Sequence, residues 1–288
     1  MEKDIKKELH KNGYVIIKNI LTEDEIDEYR EYFFKWKDSI ENFDELHKKI
    51  NPHYIYKYHQ VGHQRFAWKL RINPKIQNVF KELWDTSELV VSFDGCCYMP
   101  KHIKNKDSYW THTDQSQKKK GLHCYQAFVS LTSNKEKTLV VYEKSHLLHE
   151  SYFTEMNLTE NKDWNVIDKD YLEKIKDNKK ILHVPAGSLV IWDSRTFHQN
   201  QYGKKNTEER IVQYVSYLPK NNPKNTTSMR AKRQKYFEEK RTTSHWAYPI
   251  KVNSLQPRHY GNKDLLIDYD SLPEIELDTM MGDIQKLL

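Results

Sequence analysis

Between residues 89 and 218 the chain carries six short apolar or alternating runs: LVVSFDGCCYM (89–99), LHCYQAFVSL (122–131), TLVVY (138–142), ILHV (181–184), SLVIW (188–192) and RIVQYVSYL (210–218). Each has the length of a strand or strand pair, and polar or turn-like segments separate them. Parallel neighbours need a helix-bearing crossover, which most of these gaps lack. The pattern therefore specifies an antiparallel sandwich or barrel rather than a doubly wound sheet. One longer polar stretch, residues 145–180, interrupts the series and reads as a partly helical insertion.

The flanks read differently. Residues 1–50 form helices around one short strand, Gly13 to Ile17. Thr22 followed by Glu25 makes a capping box that opens the helix EDEIDEYREYFFKW. Pro74 starts a second amphipathic helix, PKIQNVFKELWD. Residues 223–241 form a basic helix, followed by the segment TTSHWAYPIKVN. There is no internal repeat and no low-complexity linker. The expectation is one domain over 1–288: a helical part to about 87, a strand core over about 88–220, and a C-terminal helix and tail over about 221–288.

The formal net charge of +6 raises the question of an acidic partner. Only 9 of the 47 basic residues are Arg, which leaves 38 Lys. Phosphate recognition favours the planar fork of Arg, so a solvated surface is preferred over a nucleic-acid footprint. The three cysteines, at 96, 97 and 124, form no CxxC pair. They read as inert core thiols of a reducing compartment. The start MEKDIKKELHKNG has no apolar signal core, and no run approaches the ~18 apolar residues of a membrane span. A soluble intracellular (cytoplasmic) protein is expected. Oligomeric state is not legible.

His112-Thr113-Asp114 is the first candidate for chemistry. In extended chain, residues two apart share a face, so one imidazole and one carboxylate reach one point. With 14 His in the chain, one such spacing arises by chance, and a solvated loop histidine is the bland alternative. Downstream, His198 follows a strand and turn, and Arg210 opens the next strand. Two His and one carboxylate leave three adjacent positions of an iron(II) open. A 2-oxoglutarate molecule fills two and dioxygen the third. Arg210 then grips the far carboxylate with a bidentate fork, or else pairs on the surface with Glu208 or Glu209.

Five collinear segments carry a family resemblance: NGYVIIKNILTEDEIDEYREYF, WTHTDQS, TLVVYEKSH, PAGSLVIWDSRTFHQN and ERIVQYVSYLP. In this order, over roughly residues 10–220, they resemble the phytanoyl-CoA dioxygenase family. The resemblance implies a mainly β double-stranded β-helix, a cupin-like jelly-roll barrel with helices packed outside. It implies His112, Asp114 and His198 as the iron ligands and Arg210 as the 2-oxoglutarate clamp. Asn200 and Gln126 match further co-substrate contacts, and Thr138 lies nearby. Two departures stand out. Glu143-Lys144-Ser145 replaces the usual Pro-Gly-Ser or Pro-Gly-Thr, and Val212 stands where a small hydroxyl often sits. Related halogenases lack the carboxylate; Asp114 is retained here, so hydroxylation of a small molecule is the expected outcome. Two other readings stay open: a non-catalytic β-helix module, and an oxygenase acting on a protein or nucleic-acid group.

Several other residues invite a role. His146 is expected to close a turn and Trp192 to pack in the core. Asp193 either orients a ligand histidine or caps a turn. Trp110 and Tyr109 are candidates for the pocket wall. Lys101 to Lys106, Lys118 to Lys120 and the tail at His245-Trp246 are expected to rim the barrel mouth and favour an anionic substrate; the alternative is that these lysines are merely solvated.

Overall fold

In a computed structural model, residues 4–51, 53–103, 109–159 and 161–288 are described. The strands in chain order begin with β1 (Tyr14–Ile17), β2 (Ile55–Tyr56), β3 (Leu89–Val91), β4 (Cys96–Met99), β5 (His112–Thr113) and β6 (Tyr125–Ser130). They continue with β7 (Leu139–Tyr142), β8 (Asn165–Val166), β9 (Lys179–Ile181), β10 (Leu189–Asp193), β11 (His198–Asn200), β12 (Arg210–Val215) and β13 (Tyr217–Pro219). By contacts the chain divides into two compact units that interleave in sequence, 1–18 with 99–210 and 19–98 with 211–288.

The first unit holds a five-stranded sheet in the order β8-β5-β11-β7-β9, antiparallel at each neighbour. It also holds the antiparallel ladder β1-β10-β6. The N-terminal strand belongs here because Tyr14 to Ile17 pair with Trp192 to Leu189. Gly13 ends the helix Ile5–Asn12 at φ 83°, and a Cβ there would collide with His146 and Thr196. His146 in turn donates from Nε2 to the His10 carbonyl, which accounts for it as a turn-closing residue. The 145–180 insertion forms the helices Ser145–Glu155 and Lys169–Lys174. Tyr152, Phe153, Tyr171 and Leu172 from these helices pack with Tyr142 and Phe197 of the sheet region. Antiparallel sheets flanked by helices are thus the architecture; no closed barrel forms among the described residues.

The second unit carries both helices anticipated from caps. Thr22 and Glu25 make the reciprocal capping box of Glu23–Asp38, and Pro74 opens Pro74–Trp84 behind an Asn73 cap. Its strands run β12-β4-β2 and β13-β3. Phe33, Trp36, Phe43, Tyr56 and Tyr98 interlock around the first helix with ring centroids 4.9–5.9 Å apart. The basic helix is Thr227–Glu238, and in the tail Trp246, Ala247 and Tyr248 are buried. No helix is long and apolar enough to cross a membrane among the described residues.

Three histidines of this unit are buried in the neutral form. His47 donates from Nε2 to Tyr98 O and accepts at Nδ1 from Asn51; His63 donates to Arg241 O; His59 accepts from the Tyr56 hydroxyl. Burial pushes His47 and His59 down to about 4 and His63 to about 3. A base whose folded pKa is depressed stabilises the fold fully above its unfolded value near 6.5, and the contribution is lost as pH falls towards the folded value. A histidine held to about 4 withdraws roughly 2 kcal/mol at pH 5. The urea midpoint, followed by tryptophan fluorescence, is expected to drop clearly between pH 7 and pH 5; an unchanged midpoint contradicts this.

Candidate metal centre

His198 on β11 stands directly across from His112 on β5 in the antiparallel register. Directly opposed residues project to the same side of a sheet, with Cβ atoms about 4.5–5.5 Å apart. The ring centroids of the two imidazoles are 4.4 Å apart. Asp114, two residues after His112, returns to the same face, and its backbone N–H is fixed on Ser194 O. Asp114 Oδ2 lies 3.5 Å from His112 Nε2 and 3.4 Å from His198 Nε2. One ligand atom from each residue falls within 4.8 Å of the others, and among the described residues this is the group of that kind.

Both imidazoles are oriented for a cation. His112 Nδ1 is 3.0 Å from Trp110 O, and His198 Nδ1 is 2.9 Å from Thr196 O. A carbonyl only accepts, so each Nδ1 carries the proton and each Nε2 presents a lone pair to the common point. Trp110 stacks on His112 at 5.1 Å and 19°, which holds the ring plane. Burial, reinforced by the neighbouring His112, lowers the pKa of His198 despite the opposing pull of Asp114. The donor set is therefore two imidazole nitrogens, the His198 ring neutral near pH 7, and one carboxylate. That set fits a divalent first-row metal with open positions.

The remaining site residues separate into distinct jobs. Gln126 on β6 donates from Nε2 to Asp114 Oδ2 at 3.0 Å, so its amide reaches the carboxylate itself. Arg210 is 1% exposed and donates from Nη1 to Asn200 Oδ1 at 2.7 Å. Asn200 is two residues beyond His198 on β11, so the guanidinium meets the face that carries the ligand. Its Cζ also lies 5.2 Å over the Phe128 ring, and Phe128 is two residues beyond Gln126 on β6. Arg210 is buried rather than placed at the surface. The Glu208 carboxylate instead accepts the backbone N–H groups of Lys135, Glu136 and Lys137. The Thr138 hydroxyl donates to Leu182 O at 2.8 Å and is fully buried, tying neighbouring segments together.

Other sequence candidates resolve simply. Asp193 caps its turn by accepting Arg195 N and pairs with the Arg195 guanidinium at 2.6 Å. Trp192 is core, with its ring 5.3 Å from that of His198. The three cysteines are buried free thiols, and burial raises Cys96 well above its ordinary value. Within the lysine run, Lys119 pairs with Asp163 at 2.7 Å and Lys120 with Glu150 at 3.2 Å. Of the loop 101–106, residues 104–106 lie outside the described residues. One neighbour of the site was not anticipated: Trp164, from the polar insertion, has its ring 5.5 Å from that of His112. Nothing in local spacing announces it, because it arrives through the pairing of β8 with β5.

The chain is also similar to known proteins. A family model described as phytanoyl-CoA dioxygenase matches residues 9–201. "Ava biosynthesis cluster protein O" of Aspergillus versicolor is 26% identical over 240 residues, covering 75% of this chain and 78% of its own. Two solved structures share the fold. EctD from S. alaskensis, with 2-oxoglutarate and 5-hydroxyectoine, has TM-score 0.53 at 12% identity over 77% of each chain. HygX from Streptomyces hygroscopicus, with nickel, 2-oxoglutarate and hygromycin B, has TM-score 0.52 at 11% identity over 77% of this chain and 88% of its own.

Proposed function

The chain belongs to the phytanoyl-CoA dioxygenase family, and on that premise we propose that it is an iron- and 2-oxoglutarate-dependent oxygenase that hydroxylates a small molecule. The observation that carries this reading is the convergence of His112, Asp114 and His198 within 4.8 Å. Iron, 2-oxoglutarate and dioxygen together supply the oxidation of an unactivated C–H bond, with release of succinate and carbon dioxide.

The chain's own residues set the geometry. His112 and His198 offer Nε2 because Trp110 O and Thr196 O hold the protons on Nδ1. Asp114 supplies the negative charge, and Gln126 keeps its carboxylate in one orientation. Arg210, steadied by Asn200 and Phe128, offers a buried cation for the far carboxylate of 2-oxoglutarate. Trp110, stacked on His112 and 6% exposed, keeps bulk water from that side of the ligands. A small-molecule substrate draws support from the relative named for a biosynthesis cluster and from the hygromycin B and 5-hydroxyectoine bound to the two solved structures.

The test is succinate formation by the purified chain with Fe(II) and 2-oxoglutarate in air. Slow, iron-dependent succinate release without any added substrate is expected. Its complete absence from protein that demonstrably binds the metal leaves a non-catalytic module.

A further inference from the structure

β8 is the edge strand of the five-stranded sheet, and it pairs with the strand that carries the first metal ligand: Val166 lies opposite His112 and Asn165 opposite Thr113. The pairing continues beyond the strand, with Ile167 N–H bonded to Thr111 O. Opposed residues share a face, so Val166 projects to the side of His112. Trp164 lies just ahead of β8, two residues before Val166, and so falls on the same side in extended chain. The 5.5 Å separation of the Trp164 and His112 rings agrees with this placement.

Both side chains are left in water. Trp164 is 50% exposed and Val166 47%. Leaving an indole and an isopropyl group side by side on an open edge forgoes burial free energy, and contiguous exposed apolar surface of this kind marks a binding site. Part of the surrounding charge is paired. Asp163, immediately before Trp164, is paired with Lys119 and accepts Ser116 N–H, and Glu150 holds Lys120. Among the described residues, Trp164 and Val166 are the exposed apolar side chains of β8 and its lead-in beside His112.

We propose that Trp164 and Val166 form the substrate-recognition ledge of the centre, and that the prime substrate lays a planar apolar face on the Trp164 indole. This rests on the metal-centre reading above. The ledge selects by stacking and leaves charge recognition to the co-substrate end, where Arg210 lies. Trp164 is a specificity-determining residue in this scheme and does not ligate the metal.

The experiment uses the full chain loaded with Mn(II) and 2-oxoglutarate, and two probes, 2-naphthol and sucrose. Proton line broadening of each probe is compared with that for Mg(II)-loaded protein and for free Mn(II), and Mn(II) binding is measured separately. The expected result is Mn(II)-dependent broadening of 2-naphthol and none of sucrose. Trp164→Ala weakens 2-naphthol binding by about tenfold, and Trp164→Phe restores most of it, as the loss of one stacked ring requires. Mn(II) affinity stays the same in both variants. If Mn(II) binds but 2-naphthol is not broadened, or binds Trp164→Ala as it binds the parent, the ledge is overturned and the metal centre stands. If sucrose is favoured, the apolar assignment is overturned. If the parent chain fails to bind Mn(II), the metal-centre reading fails and the ledge falls with it.

Discussion

Asp114→Ala is expected to bind Mn(II) or Fe(II) more than about a hundredfold more weakly than the parent chain and to release succinate only at background. Replacing a group that merely orients a metal ligand costs about 10–100-fold in affinity, and removing the ligand exceeds that. Asp114 is the one carboxylate in the cluster, placed 3.4–3.5 Å from both Nε2 atoms. Alanine leaves two imidazoles and the amide of Gln126, with no negative charge against a divalent cation. The variant also strips Gln126 of its acceptor, at a cost to folding of about 1–3 kcal/mol, so its urea midpoint must be followed beside the metal titration. A folded Asp114→Ala protein with parent-like metal affinity removes Asp114 from the centre.

The second large effect is expected at Arg210. Arg210→Ala is predicted to raise the 2-oxoglutarate concentration for half-maximal succinate release by about a hundredfold, since losing one partner of a buried charged pair costs about 2–5 kcal/mol. Metal affinity should change little, because the guanidinium touches Asn200 and Phe128 rather than the ligand atoms. Arg210→Lys recovers only part of the loss. An ammonium keeps the charge but not the planar fork that meets Asn200 and a carboxylate together. Equal loss of metal and co-substrate binding in Arg210→Ala would show that Arg210 supports the fold. An unchanged co-substrate requirement would exclude it as the clamp.

The position of Gln126 marks how far a linear reading reaches. Family resemblance directed it to the co-substrate, and within the protein its amide lies on Asp114. Asn200 likewise meets Arg210 within the protein. The resemblance named both residues, and in the structure one touches Asp114 and the other Arg210. Which atom each touches depends on how one strand slides against another, and a slide of one residue turns every side chain to the opposite face.

Local physics was written in the chain itself. Thr22 with Glu25, and Pro74 at a first helical position, announced their helices, because such signals act within a few residues. Most of the apolar runs became strands for a similarly local reason: a short continuous apolar run suits a strand buried on both faces, as β3, β7 and β10 are, whereas of ILHV only Ile181 lies in a strand. His198 and Arg210 were legible beside such runs, whereas His112 and Asp114 lie on or just after β5, a two-residue strand that no apolar run announced. Only the tertiary structure decided that β8 pairs with β5 and brings Trp164 beside His112, 52 positions earlier in the chain. It alone also joined β1 to β10 and so drew the first strand into the unit that holds the His112, Asp114 and His198 cluster. Strand pairing is a contest among distant segments with similar apolar patterns. It is settled by the summed packing and hydrogen bonding of the whole sheet, which no single stretch of sequence contains.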